Sequence, residues 1–538
     1  MRGKVSCRRR ITHLLAWLSG LAVIGATPTC ALADELFRTP GIAVSHTDWR
    51  AALDQLRSEL NTVPSVAAEF VLSARRHGVA PFDPRTRPAL LELNGATSPI
   101  FTGIGRSPVP VLLPFDTTAY LAARRSGTAE IVPLSRYQAD FRTELFDTGP
   151  AGYDAVFSLP PEVGAGLPPR VFAKAIEVQI TGSRLVYDIP DPQGGKGEPV
   201  KALAAQYPEL RRFIREGYVR YAFTRFGIAY VVSIQCLDSV PRARRLACRE
   251  AYPAAERFLK ALHVVGGQPI LPRPDIAPTA AEHPANLSAE FTYRPAGDLP
   301  GQRSPTGPSG PADRIVYSQI HFPLEAPAYV HSQSSGKGRS GDAADQRRGQ
   351  YPWRDNFCEA RSFNVGQCAS GFGHQGEDIR PGACPARRDG ADGCDPKRQR
   401  VLAVREGVVI RSPKDQAATL QVNSGTEHIR FRYMHMQPTA MDADGLLNGR
   451  MLREGQQIGV VSNYLDHPNG TTRHLHFDMQ VFTRDGWIWV NPYVTLISAY
   501  ERLIGGRGRE IGPQMASSPV ITVAPAAAEQ AASDAGAH

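Results

Sequence analysis

Arg473-His474-Leu475-His476-Phe477-Asp478-Met479 is the stretch on which the fold of the carboxy-terminal half turns. Taken as a β-strand it alternates. Leu475, Phe477, Met479 and Val481 fall on one face, and His474, His476, Asp478 and Gln480 on the other. One face can pack. The other carries two imidazoles a pleat apart, which can place one ring on a metal and the second beside whatever the metal binds. Upstream, His374 and Asp378 stand four residues apart. That spacing shares a face in a strand and also in a helix. Gly371, Gly373 and Gly376 favour an extended or turning backbone. Two histidines and one carboxylate are a usual ligand set for a catalytic zinc, which keeps a fourth position open for water.

At 538 residues the chain has room for two or three domains. Its amino terminus carries Arg2, Lys4, Arg8, Arg9 and Arg10 before an apolar run from Leu14 to Ala26, then Ala31-Leu32-Ala33. This pattern predicts a secretory signal peptide over residues 1–33. The apolar run is short for a membrane span, although an uncleaved anchor is the alternative. Subtracting these five basic residues from the net charge of +9 leaves +4. So mild a charge does not argue for nucleic acid and is compatible with an anionic cell-wall polymer. No later stretch is apolar enough to cross a bilayer. Six cysteines remain after the signal, as three close pairs. In an exported chain they predict the disulfides Cys236–Cys248, Cys358–Cys368 and Cys384–Cys394, with a thiolate zinc site as the rival.

The chain divides by composition. Residues 34–265 combine helical spacing (Leu53, Leu56, Leu60, with Asp48 as cap) with β-rich runs, a short helix over Pro208–Ile214 and a hairpin turning at Arg225-Phe226-Gly227. They predict an α+β domain of unknown role, in which His46, His77 and His263 stand alone. Residues 266–314 hold a Pro-rich linker. Residues 315–505 break into short β-rich segments, from Val316–Pro323 to Arg473–Phe482, separated by Gly, Asn and Asp turns. The fold class that follows is multidomain, an all-β antiparallel sheet or sandwich behind an α+β domain. Residues 506–538 read as a disordered Ala/Pro-rich tail.

Along His428–Met436, alternation puts Ile429, Phe431, Tyr433 and His435 on one face, so His435 interrupts an apolar row. With it, His374–Asp378, Val401–Val409, Tyr433-Met434-His435, Gly455–Gly459 and His474–Phe477 make five ordered blocks over about 100 residues. Together they resemble the lysostaphin/LytM-type zinc metallopeptidases, a resemblance covering residues 315–505. It implies a lysostaphin-like peptidase domain holding one zinc on His374, Asp378 and His476, with His435 and His474 beside the metal-bound water. Of these two, His474 is the favoured base because its ligand neighbour fixes its position. It further implies cleavage of peptide bonds in the stems or cross-links of peptidoglycan, in the periplasm or cell envelope. Two rivals stay open: a non-catalytic regulator of cell-wall amidases on the same fold, and a protease of exported proteins. The sequence departs from the pattern in a long insert, Arg380–Arg400, holding Cys384 and Cys394, and in the segment around His467.

Overall fold

The computed structural model describes residues 39–60, 86–160, 175–189, 197–236, 248–269, 315–325, 328–330, 355–381, 399–466 and 473–504. The expected signal peptide, His77, nearly all of the linker, the Cys384–Cys394 pair, His467 and the tail lie outside them. Within them the architecture is multi-sheet and mostly antiparallel, with few helices. The strands before the linker are β1 (Gly41–Val44), β2 (Val111–Pro114), β3 (Arg142–Gly149), β4 (Gly152–Leu159), β5 (Ile176–Ser183), β6 (Leu185–Asp188), β7 (Glu198–Pro199), β8 (Arg211–Arg215), β9 (Tyr218–Arg225), β10 (Ile228–Gln235) and β11 (Leu262–Gly266). After it come β12 (Ala328–Val330), β13 (Glu377–Pro381), β14 (Arg400–Leu402), β15 (Gly407–Ile410), β16 (Ala418–Asn423), β17 (His428–Met434), β18 (Met451–Leu452), β19 (Gln457–Val460), β20 (Leu475–Thr483) and β21 (Gly486–Val490).

The first large sheet runs β3-β4-β5-β10-β9-β8-β7. Two of its two-residue turns share one geometry. Phe226 and Gly227 (φ 53° and 74°) join β9 to β10, and Glu216 and Gly217 (φ 54° and 76°) join β8 to β9. Two consecutive left-handed residues make the turn whose twist matches the flanking strands. The helix expected over Pro208–Ile214 is replaced by β8, because the ladder to β9 outweighs the local preference for a proline-started turn. The amino-terminal spacing forms the helix Trp49–Leu60, where the Asp48 carboxylate accepts the Ala51 N–H at 3.0 Å.

The second sheet, of eight strands, is built on β20. β17 lies along one side of it. β13 takes the first half of the other side, and β21 the second half. Leu475, Phe477, Met479 and Val481 join Ile429, Phe431, Tyr433 and the helix Tyr493–Ile504 in one buried core. Val316–Pro323, expected as a strand, forms no ladder among the described residues. Its Val316, Tyr317, Ile320 and Phe322 are buried in that same core, so their apolar character reports burial, not pairing.

The polar face of β17 is covered by the first sheet. His428 places Nε2 2.7 Å from Asp154 Oδ2 and Nδ1 2.8 Å from Ser183 Oγ. Arg430 donates to the same carboxylate at 3.1 Å, and Trp487 Nε1 donates to Thr181 at 3.0 Å. Two of the expected disulfides are present, Cys236–Cys248 and Cys358–Cys368. Among the described residues no helix is long and apolar enough to cross a membrane.

Candidate metal centre

Asp378 on β13 lies directly opposite His476 on β20, so the pleat points both side chains to the same face. His374 arrives on the loop before β13. Its backbone accepts the Cys358 N–H and donates to Glu359 O, each at 2.8 Å, and its Nδ1 lies 3.0 Å from Asn356 O. A Cβ on Gly373 would come within 2.7 Å of Cys358 Cα, so only glycine lets the two segments close. Below the loop, the Glu377 carboxyl accepts the Asn356 and Phe357 N–H groups. Burial first, then Asp355 beside it, push that carboxyl well above the usual range.

Three donor groups converge. His374 Nε2 and His476 Nδ1 are 3.0 Å apart. Asp378 Oδ1 is 3.1 Å from His476 Nδ1, 3.4 Å from His374 Nε2 and 3.6 Å from His474 Nε2. Among the described residues His374, Asp378 and His476 form a group able to hold a metal ion, all three buried. The hydrogen positions follow from the partners. His374 Nδ1 faces a carbonyl, so it carries its proton and leaves a lone pair on Nε2. His476 Nε2 lies 3.3 Å from Asp478 Oδ2 without a hydrogen bond among the described residues, and its Nδ1 lies 3.1 Å from Asp378 Oδ1. The His374 Nε2 lone pair, His476 Nδ1 at 3.0 Å from it and the Asp378 carboxylate thus close on one another, and a single positive charge among them, a proton or a cation, satisfies all three. Asp378 Oδ2 is buried with no hydrogen-bond partner and remains as a further acceptor. Two imidazole nitrogens and a carboxylate fit zinc.

The electrostatics agree. Burial alone would raise the Asp378 carboxyl, but the imidazoles of His374 and His474 and its hydrogen bonds with His374 and His476 hold it well below the usual range. Burial disfavours charge on His476, yet Asp378 and Asp478 outweigh it and raise the imidazole. Asp478 is itself pinned, by Arg432 at 2.7 Å and by Trp489 Nε1 at 3.1 Å.

His435 does not stay in the apolar row. It follows the last residue of β17 with φ 63°, a left-handed conformation that breaks the alternation. Its ring centroid therefore lies 4.7 Å from that of His474 and 6.0 Å from that of His476. Ser462 ties the two segments together, donating its N–H to His435 O at 2.6 Å and accepting the His474 N–H at 3.1 Å. Burial, then the neighbouring imidazoles of His474 and His476, hold the His435 imidazole well below its ordinary value, so it is neutral at pH 7. All five residues singled out from the sequence are thus brought together. Asp478 went unremarked there as a support for His476, although its place on the histidine face could have suggested it.

A second serine–histidine–carboxylate set, Ser183–His428–Asp154, has hydrolase-like distances but no access. All three side chains are buried, and Ser183 Oγ donates to Leu185 O at 2.9 Å. It fastens the two sheets.

No family profile matches the chain, and no curated protein matches it. Solved structures do. A protein assigned as a glycyl-glycine endopeptidase, lytM, from Ruminococcus gnavus is 19% identical over 36% of this chain, with a TM-score of 0.20. The antimicrobial peptidase lysostaphin from Staphylococcus simulans is 21% identical over 24% of this chain, with a TM-score of 0.16. The matches span 64% and 45% of those two chains respectively.

Proposed function

We propose that the chain is an exported zinc metalloendopeptidase that hydrolyses peptide bonds of peptidoglycan, with its site in residues 315–505 and residues 34–265 as an accessory region. The observation that carries the metal is the convergence of His374 Nε2, His476 Nδ1 and Asp378 Oδ1, all within 3.4 Å of one another. His374, Asp378 and His476 would hold the ion. Zinc in such a site acts as a Lewis acid on a carbonyl and lowers the pKa of a water from about 15.7 to about 7. His474, whose Nε2 lies 3.6 Å from Asp378 Oδ1, accepts the proton and returns it to the leaving amine. His435, neutral and partly exposed, faces His474 across the site and stabilises the developing oxyanion with its N–H. Asp478, 3.3 Å from His476 Nε2, supplies a buried negative charge behind this imidazole. The two disulfides fit an oxidising compartment. The peptidoglycan assignment rests on the five sequence blocks together with this site.

The test is incubation of the purified mature protein with isolated peptidoglycan, with and without a zinc chelator, and mass spectrometry of the soluble fragments. Release of fragments cut within the peptides, abolished by the chelator, is expected. Release that ignores the chelator, or a chain that takes up no zinc, would overturn the proposal.

A further inference from the structure

We propose that the β8–β9 hairpin of the amino-terminal half positions the loop that carries His374, and that Glu216 at its tip is a positioning residue for the metal centre. This rests on the metal reading above, and it assigns the amino-terminal half a part in building the site.

Glu216 is in the wrong place for a glutamate by ordinary rules. It occupies the first left-handed position of a two-residue hairpin turn, with φ 54°, where Asn, Asp or Gly is usual. The residue is also only 2% exposed, and burying a charge costs free energy unless it is well paired. Strain and burial of this kind persist where the surroundings over-determine them. Here the surroundings are the 355–374 loop. Glu216 Oε1 accepts the Gly366 N–H at 3.2 Å, across 150 residues of sequence, and the Glu216 N–H donates to Asn364 Oδ1 at 3.4 Å. Glu216 Oε2 is held by Arg220 at 3.1 Å. The Arg215 guanidinium lies so close to Gly366 that an added Cβ would meet it at 1.8 Å. On β9, Tyr218 packs against Phe357, Val365, Cys368 and Trp489.

The loop passes this anchor on to the metal ligand. Its two arms pair through Asn364 and Phe372, Gly373 donates to Phe363 O at 2.9 Å, and the Cys358–Cys368 disulfide closes it. His374 is the next residue, fixed by Cys358 and Glu359. The path from Glu216 to His374 is therefore one set of short contacts. The hairpin tip is tied down in turn, since Cys236 N–H donates to Gly217 O at 2.7 Å.

The experiment uses the full mature chain. Glu216→Asn suits the turn but is too short to reach Gly366, whereas Glu216→Gln keeps an acceptor at the same reach. Two quantities are read: hydrogen exchange of amides 356–374 in metal-free protein, and the zinc dissociation constant by chelator competition. Glu216→Asn is expected to lose protection over 356–374 while the first sheet stays protected, and to bind zinc about 10–100-fold more weakly. Glu216→Gln is expected to restore most of both. Wild-type exchange and zinc affinity in Glu216→Asn would overturn the assignment. If that variant does not fold, Gly366→Ala disturbs the contact from the loop side and leaves every charge in place, and unchanged exchange and affinity there overturn it equally. Failure of the metal reading shows separately, as a wild-type chain that takes up no zinc, and the exchange arm still tests the hairpin.

Discussion

At the scale of single residues, the proposed ligands and proton carriers can be told apart by mutation. Asp378→Ala and His476→Ala are expected to lose zinc and cleavage together, whereas His474→Ala keeps zinc and loses about 10²–10⁴-fold in turnover. Metal content by elemental analysis beside turnover on soluble muropeptides distinguishes the two classes. His435 adds a stability signature because its left-handed backbone suits asparagine better than histidine. His435→Asn should be no less stable in urea than the wild type, yet about 10²–10³-fold slower. Asp147 gives a pH signature. It stands directly across the ladder from Asp154, and burial, then that neighbour, raise its carboxyl from 3.8 to about 6. The folded chain therefore holds this proton more tightly than the unfolded chain. Stability drains away as pH rises from about 4 through about 6, and the penalty is complete above that. The rise corresponds to about 3 kcal/mol at full burial, reduced to about 1–2 kcal/mol by partial exposure. Asp147→Asn should match the wild type near pH 4 and exceed it by that amount at neutral pH, measured by urea unfolding.

At the scale of elements, the loop before β13 is the weak point. The Cys358–Cys368 disulfide closes a ten-residue separation, for which chain entropy gives about 3 kcal/mol. Replacing both cysteines by serine is expected to lower urea stability by about that much and to weaken zinc binding as well, because His374 hangs on the same loop. Elements were legible in the sequence where one residue's neighbours decide its state. The alternation of β20 gave both the packed face and the histidine face, and the local cysteine pairs gave two bridges found in the structure. Legibility failed where a distant strand decides. β8 looked helical because the partner that makes it a strand, β9, is invisible to local spacing. Alternation leaves His435 in an apolar row and the left-handed turn after β17 moves it out, and the enrichment of histidine at positive φ is too weak to announce such a turn. Glu216 and Asn364 are 148 residues apart, and nothing in the chain's patterning joins them.

At the scale of the whole molecule, two sheets meet through a buried polar set on β17, flanked by small apolar clusters such as Val231 with Phe482 and Trp487. The Asp154 carboxylate takes both His428 and Arg430, and these partners hold it below the usual carboxylate range despite the opposing effect of burial. Removing one partner of such a buried set leaves the others uncompensated, so Asp154→Ala should cost about 3–5 kcal/mol. It should also merge local and global unfolding, as read by hydrogen exchange along β17. Inaccessible Ser183 should stay unlabelled by a fluorophosphonate probe, and labelling would mean the two sheets open to admit it.

The span of the ligand set has a bearing on biosynthesis. His374 and His476 are 102 residues apart, and the second lies on β20, made after every other strand that pairs with it except β21. Until β20 has been made and has paired with β13, no two of these imidazoles can meet. On the proposed metal reading, a nascent chain that lacks β20 therefore carries no finished chelating site, and an ion would be acquired only once that strand has been made.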